Sequence, residues 1–259
     1  MKATKQAILF LTHVINDVVE QRFLKLLHEA PKNHDVFFAC ESGAGVALPS
    51  YEGARTFVFS LDDLMALGYN ALGRQVMHNV NYTLQLFSKR NPQYDYIWLV
   101  EYDVVFTGKW GTFFSYFSQN DAGLISSHIE RLSPSNQLWP WWHKVDWAGQ
   151  DVPQTTWVKS FNPIFRLSAL ASASLDRFLR CGVQGHYECT MATALYREGF
   201  RLLDYGGTGE FSEREHPNHF CIDGYGVNNG TMRWRPVFLQ SEIDALGTPD
   251  KLFHPVKFI

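Results

Sequence analysis

The chain has 259 residues, enough for one large domain or two small ones with a sizeable core, so small stapled scaffolds are excluded. Its 23 Lys and Arg against 26 Asp and Glu give a net charge of −3 with no basic stripe, which argues against nucleic acid or an anionic membrane surface as the main partner. Hydrophobic residues at 46% and charged residues at 19% exclude disorder, while 15% aromatics, including eight Trp, call for an explanation.

Lys2 and Lys5 precede the apolar run Ala7 to Leu11, which ends at Thr12-His13 with no small-residue cleavage site after it. It therefore reads as a first strand rather than a secretory leader. A helix is expected over Asp17 to Glu29, where Asp17 and Glu20 fit a helix start. A second strand, Asp35 to Cys40, runs into the turn Glu41-Ser42-Gly43-Ala44-Gly45, and a third, Thr56 to Phe59, into Ser60-Leu61-Asp62-Asp63, which suits another helix start. That helix is expected to stop near Gly68, and a longer one covers about Gly73 to Lys89, before Pro92. Tyr94 to Val100 is apolar without alternation, the pattern of a strand covered on both faces.

Ser133 to Trp157 reads as a loop holding Trp139, Trp141, Trp142, Trp147 and Trp157, five of the eight Trp. Strand Phe161 to Arg166, helix Ser168 to Arg180, helix His186 to Glu198 and strand Arg201 to Tyr205 follow. A long polar stretch then leads to Gly230 and to a final segment ending His254-Pro255-Val256-Lys257. Repeated strand-then-helix order predicts the α/β class, a mostly parallel central sheet with helices on both faces, and an N-terminal half of nucleotide-binding type. No linker, charge block or repeat divides the chain, so a single domain over 1–259 is expected. No apolar stretch approaches the ~20 residues of a membrane span. Cys40, Cys181, Cys189 and Cys221 lie apart with no C-x-x-C pair, which favours a reducing, cytoplasmic compartment.

The segment Tyr94 to Val104 carries a buried strand straight into Glu101 and Asp103. In an open α/β sheet ligands bind outside the carboxyl ends of the strands, and residues two apart on an extended chain point the same way. Two convergent carboxylates suit Mg²⁺ or Mn²⁺, although strand ends also carry acids that only cap turns. Met191, Ala192 and Leu195 lie at i+3, i+4 and i+7 from Glu188, which turns Glu188 inward from a first helical turn, where the helix dipole favours an ionised carboxylate able to act as a general base.

Glu101-Tyr102-Asp103 resembles the D-x-D motif of nucleotide-sugar-dependent glycosyltransferases of GT-A fold, with Glu in place of the first Asp. Tyr96 to Trp110 is similar to the same stretch of a poorly characterised bacterial and fungal glycosyltransferase-like group; Gly185-His186-Tyr187-Glu188 resembles its second-half acidic motif, and Phe253-His254-Pro255-Val256-Lys257 its C-terminal histidine segment. The resemblance implies one GT-A domain, residues 1–130 binding a UDP- or GDP-sugar and 131–259 binding a glycan or glycoconjugate acceptor. It implies Asp103 and His254 as ligands of Mn²⁺ or Mg²⁺, Glu101 acting through water or on the ribose, and Glu188 as base in an inverting transfer. It also places base contacts after the first and second strands, here Thr12, His13, Asn16, Asp17, Glu41 and Ser42. Lys257, three residues beyond His254, can reach the same diphosphate.

Trp139, Trp141 and Trp142, with His143 and Asp146 beside them and His186 in the acidic motif, suit an acceptor subsite or lid, since indole faces stack on sugar rings. Arg166 faces the crevice or pairs with an acid. His216-Pro217-Asn218-His219 lacks a third ligand at zinc spacing, and Gly206-Gly207-Thr208-Gly209 lacks the Walker lysine and the spacing of a dinucleotide loop. Two other classes stay open, a sugar nucleotidyltransferase and a non-catalytic carbohydrate-binding protein. The first lacks its glycine-rich loop after Ala7 to Leu11; the second would keep the Trp loop and need no metal.

Overall fold

The structure is a computed structural model that describes residues 4–42, 49–73, 75–223 and 230–257. In chain order the strands are β1 (Gln6–Thr12), β2 (His34–Glu41), β3 (Arg55–Phe59), β4 (Tyr96–Glu101), β5 (Val105–Phe106), β6 (Leu124–Arg131), β7 (Val158–Ser168), β8 (Leu202–Asp204), β9 (Phe238–Leu239), β10 (Leu252–Phe253) and β11 (Val256–Lys257). The helices are α1 (Asp17–Glu29), α2 (Leu61–Met65), α3 (Val80–Arg90), α4 (Trp110–Tyr116), α5 (Ala169–Arg180), α6 (Tyr187–Arg197) and α7 (Gln240–Leu246).

Seven strands form one sheet in the order β3-β2-β1-β4-β7-β6-β8. The pairs β2·β3, β1·β2, β1·β4 and β6·β8 are parallel, while β7 runs against both β4 and β6. The sheet is therefore mixed, with β7 its one reversed strand. Every strand but β7 presents its carboxyl end at one edge, and there the register sets Leu11 beside Glu101 and Thr12 beside Cys40.

Side chains of β1 alternate between two cores. Ala7, Leu9 and Leu11 pack with Phe37, Leu99 and residues of α3, α5 and α6; Ile8 and Phe10 pack with Phe38, Trp98 and residues of α1 and α4. Period-two alternation into two apolar layers explains why these strands lack polar residues. The second core accounts for much of the aromatic content: Trp98 lies 5.3 Å from the rings of Phe113 and Phe114, and Phe113 lies 4.9 Å from Phe220. Arg166 is fully buried there, against the rings of Tyr96 and Trp98, and donates to the carbonyls of Phe117, Asn120 and Ala122. It neither faces the crevice nor pairs with an acid.

Local capping sets several boundaries. Ser60 and Asp63 cap α2 reciprocally, and Ser168 caps α5. The cap of α1 is Asn16, which accepts from the Val19 N–H at 3.0 Å, so Asp17 is the first helical residue rather than the cap. The helix expected from Gly73 begins only at Val80. Gly73 has φ +70°, and the Asn79 side chain accepts from the Leu72 N–H at 3.1 Å and donates to the Gln75 carbonyl at 2.8 Å, which ties Leu72 and Gln75 to the start of α3. β6 and α4 carry no expectation above; β6 is an eight-residue strand and α4 is rich in aromatic residues. Among the described residues no helix is long and apolar enough to cross a membrane.

Candidate metal and acid–base site

β4 ends at Glu101, and the chain turns at once, the Val104 N–H donating to the Glu101 carbonyl at 3.0 Å. Glu101 and Asp103 thus converge through a turn, not through the two-residue repeat of a strand. The turn is held from three sides. The Tyr102 N–H donates to the Leu11 carbonyl at 2.9 Å, the Val256 N–H to the Asp103 carbonyl at 2.9 Å, and Arg22 of α1 to the carbonyls of Tyr102 and Val256.

β10 pairs antiparallel with β5, just beyond that turn, and delivers His254 into it. The His254 Nδ1 bonds the Arg233 carbonyl at 3.0 Å, which leaves Nε2 facing Asp103 at 3.5 Å and Glu101 at 3.7 Å. Burial holds His254 below its ordinary pKa against the raising effect of Asp103, so its Nε2 lone pair is free. Burial, then Asp103, then Glu188 push Glu101 well above the usual carboxylate range. Lys257 Nζ pairs with Asp103 Oδ2 at 2.5 Å, while Asp103 Oδ1 is buried with no hydrogen-bond partner. Burial alone would lower Lys257, but Asp103 outweighs it and keeps the ammonium charged. One donor atom from each of Glu101, Asp103 and His254 lies within 4.8 Å of the others, the only such group among the described residues. Two carboxylates, an imidazole oriented by a carbonyl, and an orphaned carboxylate oxygen fit a hard divalent cation such as Mn²⁺ or Mg²⁺.

Glu188 is buried in the first turn of α6. Its Oε1 accepts from the Asn162 N–H of β7 at 3.3 Å, and its Oε2 lies 3.5 Å from the His186 Nδ1. Burial, then Glu101 and Glu188, push the Tyr187 hydroxyl up, which puts this ring beside both acids. The expectation that the helix end keeps Glu188 ionised is corrected. Burial pushes it up to about 8, outweighing the Asn162 N–H and the charge of Lys159. Residues Tyr187 to Leu195 are all buried, so the helix has no single inward face, and Glu188 is fixed by β7.

The Trp loop divides. Trp141 stacks on His186 at 4.3 Å with a 10° interplanar angle and carries Lys144 at 5.0 Å, while Trp139 lies 5.7 Å from the Lys159 ammonium. Trp142 is 1% exposed, donates Nε1–H to the Asn136 carbonyl and packs on Trp139 and Trp157. It is the core of the loop and has no face for an acceptor, which corrects its assignment.

The other expected contacts all lie at the carboxyl edge. Thr12 is buried and turns its hydroxyl onto the Val14 backbone, and His13 is exposed with its ring 5.1 Å from Tyr102, beside the metal-ligand turn. Asp17 is exposed at the start of α1. Glu41 ends β2, and Ser42 donates its N–H to Phe59 at 2.7 Å; Gly43 to Gly45 lie outside the described residues. The structure brings Glu101, Asp103, His254, Lys257, Tyr102 and His13 together, and Glu188, His186 and Trp141 together beside them.

Sequence reasoning missed Lys159, whose ammonium pairs with Glu130 at 2.9 Å and whose charge bears on Glu188, and also His128, Asp204 and Asp223. The one signal available was Asp204 at the end of an apolar strand, the position that singled out Glu101.

A family model described as "Protein of unknown function (DUF3405)" matches residues 55–122, a span from β3 through α4 that includes Glu101 and Asp103 but not Glu188 or His254. No curated protein matches the chain. Among solved structures it is similar to the glycosyltransferase GlyE of Streptococcus pneumoniae TIGR4, at 10% identity over 68% of this chain and 37% of that one, with a TM-score of 0.36. The apo form of GlyE gives 11% identity, 78% and 46% coverage and 0.41. The mannosyltransferase Ktr4p of S. cerevisiae gives 14%, 78% and 68%, and 0.39. The chain thus spans less than half the length of the GlyE chains, and its architecture rests on its own strand order.

Proposed function

We propose that the chain is a metal-dependent glycosyltransferase of GT-A architecture, moving a sugar from a UDP- or GDP-linked donor to a hydroxyl of a glycan or glycoconjugate. The observation that carries this reading is the gathering of Glu101, Asp103 and His254 at the carboxyl edge of the sheet, with a buried Glu188 beside them. Asp103 and His254 would hold Mn²⁺ or Mg²⁺, with Glu101 as a third donor directly or through water. Such an ion supplies neutralisation of the charge that develops on a departing diphosphate.

The chain's own groups supply the rest. Lys257 offers a cation to the same diphosphate, and the Asn162 N–H holds the Glu188 carboxyl in place. Glu188 takes the proton of the acceptor hydroxyl while that oxygen bonds to the anomeric carbon and the bond to the diphosphate oxygen breaks, which inverts the configuration. Its pKa near neutrality matches a group that must gain and lose a proton in each cycle. Burial of Glu188 beside Tyr187 and His186, the latter stacked on Trp141, lowers the local dielectric and strengthens these interactions.

The test is calorimetric binding of UDP, GDP and CDP, each with and without Mn²⁺. Metal-dependent binding of one nucleoside diphosphate, lost in Asp103→Ala, is expected. A folded sample that binds none of the three overturns the reading.

A further inference from the structure

The carboxyl edge carries a second constructed group that the reaction above leaves unused, centred on Asp223. Its Oδ2 accepts from the Thr208 N–H at 2.9 Å, and its own N–H donates to Asn218 Oδ1 at 2.9 Å. Its Oδ1 lies 3.7 Å from His128 Nε2, and its side chain is 32% exposed.

Several unusual backbone positions converge there. Asn218 has φ +53° and His128 φ +49°, two of the four non-glycine residues with positive φ among the described residues. Gly207 has φ +67°, and a Cβ on it would stand 2.3 Å from Asp223 Oδ2, so the absence of a side chain at Gly207 lets this carboxylate reach the Thr208 N–H. His128 sits in an irregular stretch of β6, where the register with β7 shifts between Ser127 and Glu130. The buried Asp204 clamps that stretch by accepting from the Ile129 N–H at 2.9 Å and the Gly206 N–H at 3.0 Å. A bulge of this kind re-aims a side chain, and left-handed backbone at non-glycine residues persists only where the surroundings enforce it.

The pair lies one ring away from the site. The partly buried Phe161 ring packs against His128 at 5.9 Å and against His254 at 5.4 Å, so it links the imidazole that flanks Asp223 to the metal-ligand group. Asn162, the next residue, donates to Glu188. Burial holds His128 below its ordinary pKa, so the neutral ring leaves the acceptor capacity of the Asp223 carboxylate to a ligand.

We propose that Asp223, held by the Thr208 N–H and Asn218 and flanked by His128, binds the hydroxyls of a polyhydroxylated acceptor ring that reaches past Phe161 toward Glu188. The proposal deepens the glycosyl-transfer reading and rests on it for the ligand's role as acceptor. A carboxylate accepts charge-assisted hydrogen bonds from sugar hydroxyls, and an aromatic ring one residue further in can cover C–H faces, which together suit a polyhydroxylated ligand.

The experiment is saturation-transfer NMR with the methyl glycosides of mannose, glucose, galactose and N-acetylglucosamine, in Mg²⁺ with UDP or GDP. At least one glycoside is expected to bind the wild-type chain, and Asp223→Asn to weaken it about tenfold, with Tm and nucleoside diphosphate affinity unchanged. The asparagine keeps an oxygen for the Thr208 N–H, so the fold is retained. As a second variant, His128→Asn suits left-handed backbone and removes the ring that flanks Asp223 and packs on Phe161; it should weaken the same glycoside by about threefold through loss of that wall. Binding of no glycoside by the wild type, or equal binding by both variants, overturns the proposal. Nucleoside diphosphate binding in the same samples is a separate readout: a chain that holds a glycoside through Asp223 but binds no nucleotide keeps the site and loses the transfer reading.

Discussion

The two halves of the carboxyl edge place their polar groups by different means. Over β1, β2 and β4 the strands are regular and parallel, and acids appear where the strands stop, Glu41 after β2 and Glu101 after β4. Over β6, the start of β7 and β8, the edge is irregular. There a register shift, two left-handed residues and a glycine pressed by a carboxylate put His128 and Asp223 where regular geometry would not, with Asp204 at the end of β8 clamping the distorted stretch. The difference teaches that a buried parallel sheet aligns its strand ends without further devices. A mixed sheet with one reversed strand needs local distortion to present side chains to the same crevice.

The comparison breaks most easily at the regular edge. Asp103→Ala is expected to abolish metal-dependent nucleotide binding and to lower transfer by more than about 10³-fold, because it removes the central donor, the partner of Lys257 and an oriented charge at once. Calorimetry with Mn²⁺ and UDP or GDP checks it. Glu188→Gln, at the junction of the two edges, should leave nucleotide binding intact and lower turnover by about 10²- to 10⁴-fold, as measured by product release.

The sheet beneath both edges is tested by Phe113→Ala. This ring touches Trp98, Phe117 and Phe220, and its loss should destabilise the chain by about 3–5 kcal/mol in urea unfolding.

At the irregular edge, Asp204 gives a pH signature. Burial raises its folded pKa from 3.8 to about 8, so the folded state favours the protonated acid. Stability from this group is fully present below the unfolded value near 3.8 and is lost as pH rises through about 8. Over that window Asp204→Asn should flatten the decline of Tm relative to the wild type, and parallel curves for the two proteins would reject the assignment. The smallest effect belongs to Ser60→Ala, far from either edge, which removes one half of the α2 capping box and should cost about 1 kcal/mol with no change in nucleotide binding.

Much of the regular half could be read without coordinates. Residues 7–11, 35–40 and 56–59 announce strands by unbroken apolar runs, and α1 falls at Asp17 to Glu29 because its start and stop signals are local. Glu101, Asp103 and His254 could be singled out by their positions and by resemblance. Their convergence could not, since it depends on a turn tied to Leu11 and Val256 from opposite ends of the chain. Where expectation and structure part, a long-range contact or a side-chain bond prevailed over pattern. Asn79 delayed α3, burial raised the Glu188 carboxyl to about 8 against the pull of the helix end, and packing on Trp139 and Trp157 turned Trp142 from a sugar platform into core.

The sequence by itself determined the α/β class, the order of the main strands and helices, and which acids stand at strand ends, because hydrophobic period and capping act over a few residues. Only the tertiary structure decided that β7 runs backwards, that His254 and Lys257 close on Asp103, and that His128 and Asp223 meet. The side-chain pairs among these lie 95 to 154 positions apart in the chain, and the free energy that selects all of them, burial of two apolar layers and satisfaction of buried polar groups, exists only once the sheet is assembled.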